Sequence, residues 1–279
     1  LFSATGFNSI GILSSGGVGK ALADWIRDRR PPVELMDVDV RRMQSFQGNR
    51  KYLEDRTTET LGLLFDMHWP SRQFTTARGV RRSPFHDRLL GLGAWMTEAA
   101  GWERPGFFGA PGTAPKVTYS YGRPSWFEAC AAECRATAEA VTLFDHSCFV
   151  KYAVEGRDAA ALLNRVCANE VDVVPGRVVY TQWLNPQGGI EADVTVTRIS
   201  ATEFLVVTIA VSQRRDLAWL TRAIPEGAHV FVRDVTSALP MLALMGPKAR
   251  ALLQRLSPAD FSDAAFPFAT SREIDLGYA

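Results

Sequence analysis

The stretch GRVVYTQWLNPQGGIEADVTVTRI, residues 176–199, has two runs rich in β-branched and aromatic residues on either side of Pro186-Gln187-Gly188-Gly189. Such residues favour strands, and a short glycine-containing segment between two strand patterns is typical of a β-hairpin. The stretch therefore predicts two antiparallel strands joined by a turn. The second strand contains one carboxylate, Asp193, although aspartate is depleted in strands.

The period of a strand decides which way Asp193 points, because successive side chains face opposite sides of a sheet. The polar face would contain Glu191, Asp193, Thr195 and Thr197, and the apolar face Ile190, Ala192, Val194 and Val196. One interpretation is that Asp193 lies on a solvated strand face. The other is that it lines a polar cavity, where it binds a cationic amine or transfers a proton.

Further helix and strand patterns surround this hairpin. The helical ones are SWFEACAAECRATAEAV, GRDAAALLNRVCANEV, SQRRDLAWLTRAI and PKARALLQRL, and the strand ones are FVKYAVEG and EFLVVTIA. Because these elements accompany an antiparallel hairpin, the sequence predicts an α+β domain with an antiparallel sheet. The glycine- and proline-rich segment GFFGAPGTAPK, residues 106–116, predicts a boundary before this domain.

The first hundred residues show three other patterns. An apolar run over residues 7–13 predicts a strand, and SSGGVGKALADWI after it predicts a glycine turn and a helix capped by Ser14 or Ser15. Two amphipathic helical patterns follow over residues 50–65 and 83–101, the second with Ser83 as its cap.

Gly16, Gly17 and Gly19 occupy the predicted turn at the start of the first helix. Unpaired amides at a helix N-terminus favour anionic or electron-rich groups, and glycine lets a ligand approach closely. The pattern matches neither nucleotide fingerprint, because Leu22 stands where a third glycine is needed and Ala21 stands where a P-loop has serine or threonine. A purely architectural turn and a ligand site both remain open.

Composition narrows the class of protein. Lys+Arg total 31 and Asp+Glu 30, so the chain lacks the basic field that attracts nucleic acid. We expect no membrane span, no metal site among the four histidines, and four reduced cysteines. The chain opens without methionine inside an apparent strand pattern, which we interpret as an internal fragment of a longer polypeptide.

Three motif clusters resemble the FAD-dependent dimethylglycine and sarcosine dehydrogenase family, in order along the chain. TGFNSIGILSSGGVGKALADWI is similar to the last strand, turn and helix of that family's FAD domain. DVDVRRMQSF, ARGVRRSPFHDRL and GWERPGFF are similar to its central linker domain. LFDHSCFVKYAVEGRDAAALLNRVCANEV and YTQWLNPQGGIEADVTVTR resemble the start of its folate-binding domain, which is shared with the glycine cleavage T-protein.

The resemblance implies three parts. Residues 1–36 would be the C-terminal edge of an FAD-binding oxidoreductase domain, 37–112 a small central linker domain, and 113–279 the first part of a T-protein-like folate-binding domain with an antiparallel sheet. The implied cofactors are FAD and tetrahydrofolate, and the implied location is the cytoplasm, or the mitochondrial matrix in a eukaryote.

The resemblance also implies site residues. Flavin would oxidise an N-methyl amine such as sarcosine or dimethylglycine, and tetrahydrofolate would accept the one-carbon unit; the electron acceptor stays unassigned. Gly16, Gly17 and Gly19 match the glycine turn beside the flavin. Asp193 matches the acidic position at the folate amine, where it would stabilise positive charge or accept a proton. Tyr278 matches a folate contact.

Two other interpretations stay open. A relative with the same architecture is a regulatory subunit of pyruvate dehydrogenase phosphatase, so the chain could be a non-catalytic interaction protein. A folate-binding protein without oxidase activity is the other, although residues 1–108 would then have no purpose. On the dehydrogenase interpretation, we expect the 279-residue chain alone to lack dehydrogenase activity.

Overall fold

The computed structural model describes residues 2–278, and the chain divides into two compact units, Leu1–His68 and Trp69–Ala279. The predicted division into residues 1–36, 37–112 and 113–279 remains a prediction.

The first unit is helical. Its long helices are α1, Gly11–Asp28, and α2, Arg50–Leu63, with short 3-10 turns at Met36–Val38, Val40–Arg42 and Ser45–Gly48. Helix α2 starts after Asn49, whose side chain accepts a hydrogen bond from the Tyr52 amide at 3.2 Å, and this confirms the helix predicted there.

The strand predicted over residues 7–13 is wrong. Helix α1 already begins at Gly11, without a side-chain cap, and Ile12 and Leu13 are 96% and 89% exposed. A strand needs a neighbour to pair its amides and carbonyls, and residues 2–68 contain no other strand. A helix satisfies the same groups within its own segment. Ser14 and Ser15 therefore lie inside α1 instead of capping it.

The second unit begins with a short helix and a hairpin. These are α3, His86–Gly91, and the antiparallel strands β1, Ala94–Ala99, and β2, Trp102–Phe108. The helix predicted over residues 83–101 is thus wrong in its second half, because Gly93 adopts a positive φ of 86° and the chain turns into β1. Ser83 accepts a hydrogen bond from the Phe85 amide at 3.2 Å before the helix, but it is not the cap residue.

Next come helices α4, Phe127–Glu139; α5, Ala159–Val166; α6, Gln213–Arg222; and α7, Ala249–Leu253. The strands among them are β3, Thr142–Asp145; β4, Val150–Glu155; β5, Val178–Leu184; β6, Ile190–Arg198; β7, Glu203–Thr208; β8, Phe231–Asp234; and β9, Leu242–Met245. Strands β5, β6, β7, β4 and β8, in this order, form an antiparallel sheet, while β3 pairs with β9. The predicted hairpin and the α+β class with an antiparallel sheet are confirmed.

One face of the five-stranded sheet forms the core. Fully buried side chains from its strands, among them Tyr152, Trp183 and Phe204, pack with Leu163 of α5 and Leu220 of α6. Burying a large apolar side chain contributes on the order of 2 kcal/mol, so this face fixes the positions of the strands. Asp193 lies on the other face of the sheet, together with Thr195 of the same strand.

No helix among residues 2–278 combines the length and the apolar character that crossing a bilayer requires.

Candidate functional site

The turn between β5 and β6 is held by one side chain. Asn185 Oδ1 accepts hydrogen bonds from the amides of Gln187, at 3.0 Å, and Gly189, at 2.9 Å. Gly188 has φ of 79°, a conformation that glycine adopts without strain. A Cβ on Gly189 would lie 2.8 Å from Asn185 Nδ2, so a larger residue there would displace the side chain that holds the turn. This local chemistry fixes the register of the hairpin.

That register places Gln182 of β5 directly opposite Asp193 of β6. Gln182 Nε2 donates a hydrogen bond to Asp193 Oδ1 at 3.2 Å, and the Tyr180 hydroxyl donates one to Asp193 Oδ2 at 2.8 Å. Asp193 is exposed, whereas its neighbours Ala192 and Val194 are buried. The predicted alternation is therefore confirmed around Asp193, but at the ends of β6 Ile190 is 69% exposed and Thr197 is buried.

Tyr180 is 59% exposed, and the neighbouring Asp193 carboxylate shifts the pKa of its phenol. The hydrogen bond to Asp193 raises the pKa of the Tyr180 phenol above its usual value, with lesser contributions from desolvation and from the negative charge. A hydrogen bond with Gln182 acts in the opposite direction. Tyr180 thus stays a neutral donor to Asp193 at physiological pH.

Strand β5 lies at the edge of the sheet, and its backbone is fixed by the preceding segment. The Ala168 amide donates to the Gln182 carbonyl at 2.8 Å, and Asn169 Nδ2 donates to the Tyr180 carbonyl at 2.7 Å. On the opposite face of β5, Trp183 is completely buried in the core. The Tyr180 and Gln182 side chains therefore project from a rigid backbone.

This arrangement defines what the site can do. An ionised carboxylate has about four lone-pair positions, and the hydrogen bonds from Tyr180 and Gln182 occupy two of them. The other positions can accept hydrogen bonds from a bound amine or take its proton. Because both partners are neutral, the negative charge of Asp193 is not cancelled by either of them.

Gly16, Gly17 and Gly19 lie in the first unit, inside α1, and not at its N-terminus. An amide inside a helix donates to the carbonyl four residues earlier, so these amides are engaged within α1. All three glycines are exposed, and a Cβ on any of them would meet nothing within 4 Å. They form an open surface without side chains, and their role as cofactor contacts remains a prediction.

Tyr278, the predicted folate contact in the second unit, is fully exposed. Its role likewise remains a prediction. Among residues 2–278, no three histidine, cysteine, aspartate or glutamate side chains come close enough together to hold a metal ion.

A cavity of about 610 Å³ lies elsewhere in the second unit, against β2, α4 and β3, and its lining does not include Asp193. His146 and Cys148 both contribute to its wall. Burial lowers the pKa of the His146 imidazole and raises the pKa of the Cys148 thiol. A neutral imidazole beside a protonated thiol is not an activated nucleophile pair.

Tyr180 and Gln182 were missed by the sequence prediction. The signal that would have identified them is the hairpin itself: once the turn is centred on residues 186–189, the residues opposite Asp193 can be counted along β5. Gln182 then falls across from Asp193, and Tyr180 lies two residues along on the same face.

Two family models match the chain. The GCVT N-terminal domain matches residues 85–279, and the FAD dependent oxidoreductase central domain matches residues 30–83.

Curated relatives match the chain from end to end. It is 46% identical to the 4-methylaminobutanoate oxidase (formaldehyde-forming) of Paenarthrobacter nicotinovorans, over 100% of the chain and 34% of the relative. It is 33% identical to the mitochondrial pyruvate dehydrogenase phosphatase regulatory subunit of Mus musculus, over 100% of the chain and 32% of that protein. It is 32% identical to the mitochondrial dimethylglycine dehydrogenase of Rattus norvegicus, over 98% of the chain and 32% of that protein. The chain spans about a third of the length of these relatives.

A solved structure supports the α+β fold. The glycine cleavage system aminomethyltransferase T from Bartonella henselae superposes with a TM-score of 0.50 at 26% identity, covering 64% of this chain and 44% of that one.

Proposed function

Because the chain belongs to the GCVT N-terminal domain family and is homologous to the dimethylglycine and sarcosine dehydrogenases, we propose that it serves an FAD-dependent oxidative demethylation coupled to folate. The substrate is an N-methyl amino acid such as sarcosine or dimethylglycine, and tetrahydrofolate accepts the one-carbon unit. The observation that carries this proposal is the exposed Asp193 carboxylate, held by Tyr180 and Gln182 on the face of the sheet opposite the core.

Asp193 fits the amine of tetrahydrofolate. The nitrogen becomes positively charged as it forms a bond to the one-carbon unit, and it must then lose its proton. A carboxylate with free lone pairs stabilises that charge and accepts that proton. Tyr180 and Gln182 keep the carboxyl group oriented by donating to its two oxygens. Tyr278 remains a proposed contact for the same ligand.

FAD, when bound, supplies the oxidation by accepting a hydride equivalent from the N-methyl carbon. Gly16, Gly17 and Gly19 are the residues of this chain proposed to lie beside it. Their amides are engaged within α1, so their contribution is the side-chain-free surface that permits close approach, and not hydrogen-bond donation.

Substrates with a longer carbon chain fit the same proposal. The relative with 46% identity is named for oxidising 4-methylaminobutanoate, which, like sarcosine, is a secondary N-methyl amine with a carboxylate. This compound therefore belongs in the same test as sarcosine and dimethylglycine.

The second candidate is a regulatory protein without catalytic activity. It is favoured by the 33% identity to the pyruvate dehydrogenase phosphatase regulatory subunit over the full chain. The two candidates differ in whether flavin in the complete protein is reduced by an amine.

The test uses the complete flavin-loaded protein under anaerobic conditions. Each of the three amines is added with and without tetrahydrofolate, while flavin absorbance and methylene-tetrahydrofolate are followed. We expect bleaching by one amine, and folate product only when tetrahydrofolate is present. Absence of bleaching by all three amines would reject the dehydrogenase proposal and favour the regulatory one.

Variants then test whether Asp193 acts in the transfer to tetrahydrofolate. Asp193→Asn should bleach normally but lose folate product, and the exposed carboxylate Asp87, changed to Asn, serves as the matched control. If Asp193→Asn forms the folate product at the unaltered rate, the role of this carboxylate is refuted, while the oxidation itself is unaffected by that result.

A further inference from the structure

Gln182 is the one residue that faces Asp193 directly across the hairpin. We propose that Gln182 is a positioning residue, which fixes the direction of the Asp193 carboxylate toward the amine of the bound folate. This inference rests on the proposed function and extends it to a side chain that does not itself take part in the proton transfer.

The first support is the geometry of the carboxyl group. Gln182 Nε2 holds Oδ1 at 3.2 Å, and the Tyr180 hydroxyl holds Oδ2 at 2.8 Å, so each oxygen has one donor from the same strand. Rotation of the carboxyl group would break both hydrogen bonds. Each oxygen keeps a second lone pair for the ligand. Without Gln182, Oδ1 loses this donor, and the carboxyl group can rotate while Oδ2 stays hydrogen-bonded to Tyr180.

The second support is that Gln182 starts from a fixed backbone. Its carbonyl accepts a hydrogen bond from the Ala168 amide at 2.8 Å. The adjacent residues Thr181 and Trp183 are completely buried on the opposite face of the strand. Thr181 Oγ1 also accepts a hydrogen bond from the Asn169 amide at 3.0 Å. A side chain that begins at a rigid position loses little entropy when it holds its partner.

The third support is the chemistry of the amide. Glutamine donates a hydrogen bond without adding charge, so it orients Asp193 and leaves the negative charge available for the developing ammonium. Lysine or arginine at this position would cancel that charge with an ion pair. Glutamate would place a second negative charge directly across the strand pair, where like charges repel.

The experiment compares Gln182→Leu with Gln187→Leu in the complete flavin-loaded protein. Gln187 lies in the exposed turn of the same hairpin, so its substitution removes an amide of the same size without touching Asp193. Loss of one hydrogen bond is expected to slow folate-product formation about fivefold, mainly in kcat, while flavin bleaching by the amine stays unchanged. The Gln187→Leu protein should match the wild type in both folate-product formation and flavin bleaching.

A second readout does not depend on activity. In protein labelled with ¹³C at the tyrosine ring carbon that bears the hydroxyl, the Tyr180 resonance is assigned from Tyr180→Phe and titrated. Gln182→Leu should raise the pKa of Tyr180 further, because the hydrogen bond with Gln182 lowers it, and Asp193→Asn should bring it down. If Gln182→Leu is insoluble, Gln182→Thr removes the same contact with a strand-forming residue.

The outcomes separate the two proposals. An unchanged Tyr180 titration in Gln182→Leu means that Gln182 does not belong to the cluster, and the inference fails. A shifted titration with an unaltered folate-product rate shows a real contact without a positioning role, which also overturns it. If the wild type reduces flavin but makes no folate product, the folate half of the proposed function fails first, and the role of Gln182 falls with it.

Discussion

Glu103 and Asp193 are both carboxylates on hairpin strands, and each accepts hydrogen bonds on its oxygens, yet they are built for opposite purposes. Glu103 on β2 is 6% exposed, and Oε1 accepts from Arg78 Nε at 2.8 Å and from the Gly79 amide at 2.7 Å. Asp193 is exposed, and among residues 2–278 it accepts only from two neutral side chains, Tyr180 and Gln182. The difference shows that burial and the charge of the partner decide whether a carboxylate is structural or available for chemistry.

The environment of Glu103 leaves it closed to other ligands. Burial raises the pKa of this carboxyl, but the hydrogen bonds from Arg78 and from the Gly79 amide outweigh it, so the net pKa is lowered. The Arg78 guanidinium also donates to the carbonyls of Phe74, at 3.1 Å, and Met96, at 2.9 Å. A pair with so many internal partners joins the segment before α3 to the β1–β2 hairpin.

The comparison predicts its largest effect for Asp193→Asn. Removing a proton acceptor typically costs about 10²- to 10⁴-fold in rate, so folate-product formation should fall by that range. The free energy of unfolding should change by no more than about 0.5 kcal/mol, because Asp193 is exposed. Single-turnover kinetics and urea denaturation measure the two quantities. A large loss of stability would show that Asp193 has a structural role, as Glu103 does.

For Glu103→Gln, the large effect is expected on the free energy of unfolding instead of on the rate of folate-product formation. The substitution leaves the Arg78 charge without its partner, which typically costs about 3 kcal/mol in a buried pair. Urea denaturation of the variant, beside Glu139→Gln at an exposed position of helix α4, measures this loss. A change below about 1 kcal/mol would contradict the structural role assigned to the pair.

The free energy of unfolding should fall at acidic pH, partly because Glu103 becomes protonated. Because its pKa in the folded state is below the ordinary value of 4.5, its contribution to stability is fully present above that value. The contribution is lost as the pH falls through the lowered folded pKa. Denaturation between about pH 6 and 3 should therefore show a smaller decline in Glu103→Gln than in the wild type. If the stability of the variant and of the wild type declines in parallel as the pH falls, Glu103 does not contribute to the loss of stability in acid.

A smaller effect than for Asp193→Asn is expected for Tyr180→Phe. Phenylalanine keeps the ring but removes the donor to Asp193 Oδ2, so folate-product formation should fall about tenfold. Stability should be unaltered, because the hydroxyl lies at an exposed position. Tyr121→Phe, which changes another exposed tyrosine of the second unit, is the control for loss of a surface hydroxyl. A rate equal to the wild type would mean that Gln182 alone holds the carboxylate.

Local pattern was sufficient for several elements. The hairpin around Gly188 and Gly189, helix α4 and the polar face of β6 follow from turn chemistry and from the strand period, which act over a few residues. The same reasoning failed over residues 7–13, where an apolar run is compatible with both a buried strand and a helix. It failed again after Gly93, where the helical pattern gives way to β1.

The sequence by itself determined the antiparallel hairpin, the α+β class and the face of β6 on which Asp193 stands, since these depend on residues close together in the chain. Only the tertiary structure decided that Arg78 encloses Glu103 and that Ala168 and Asn169 fix the edge strand. The physical reason is that a hydrogen bond or an ion pair depends on where two side chains meet, and residues distant in sequence meet only once the sheet has packed onto its helices.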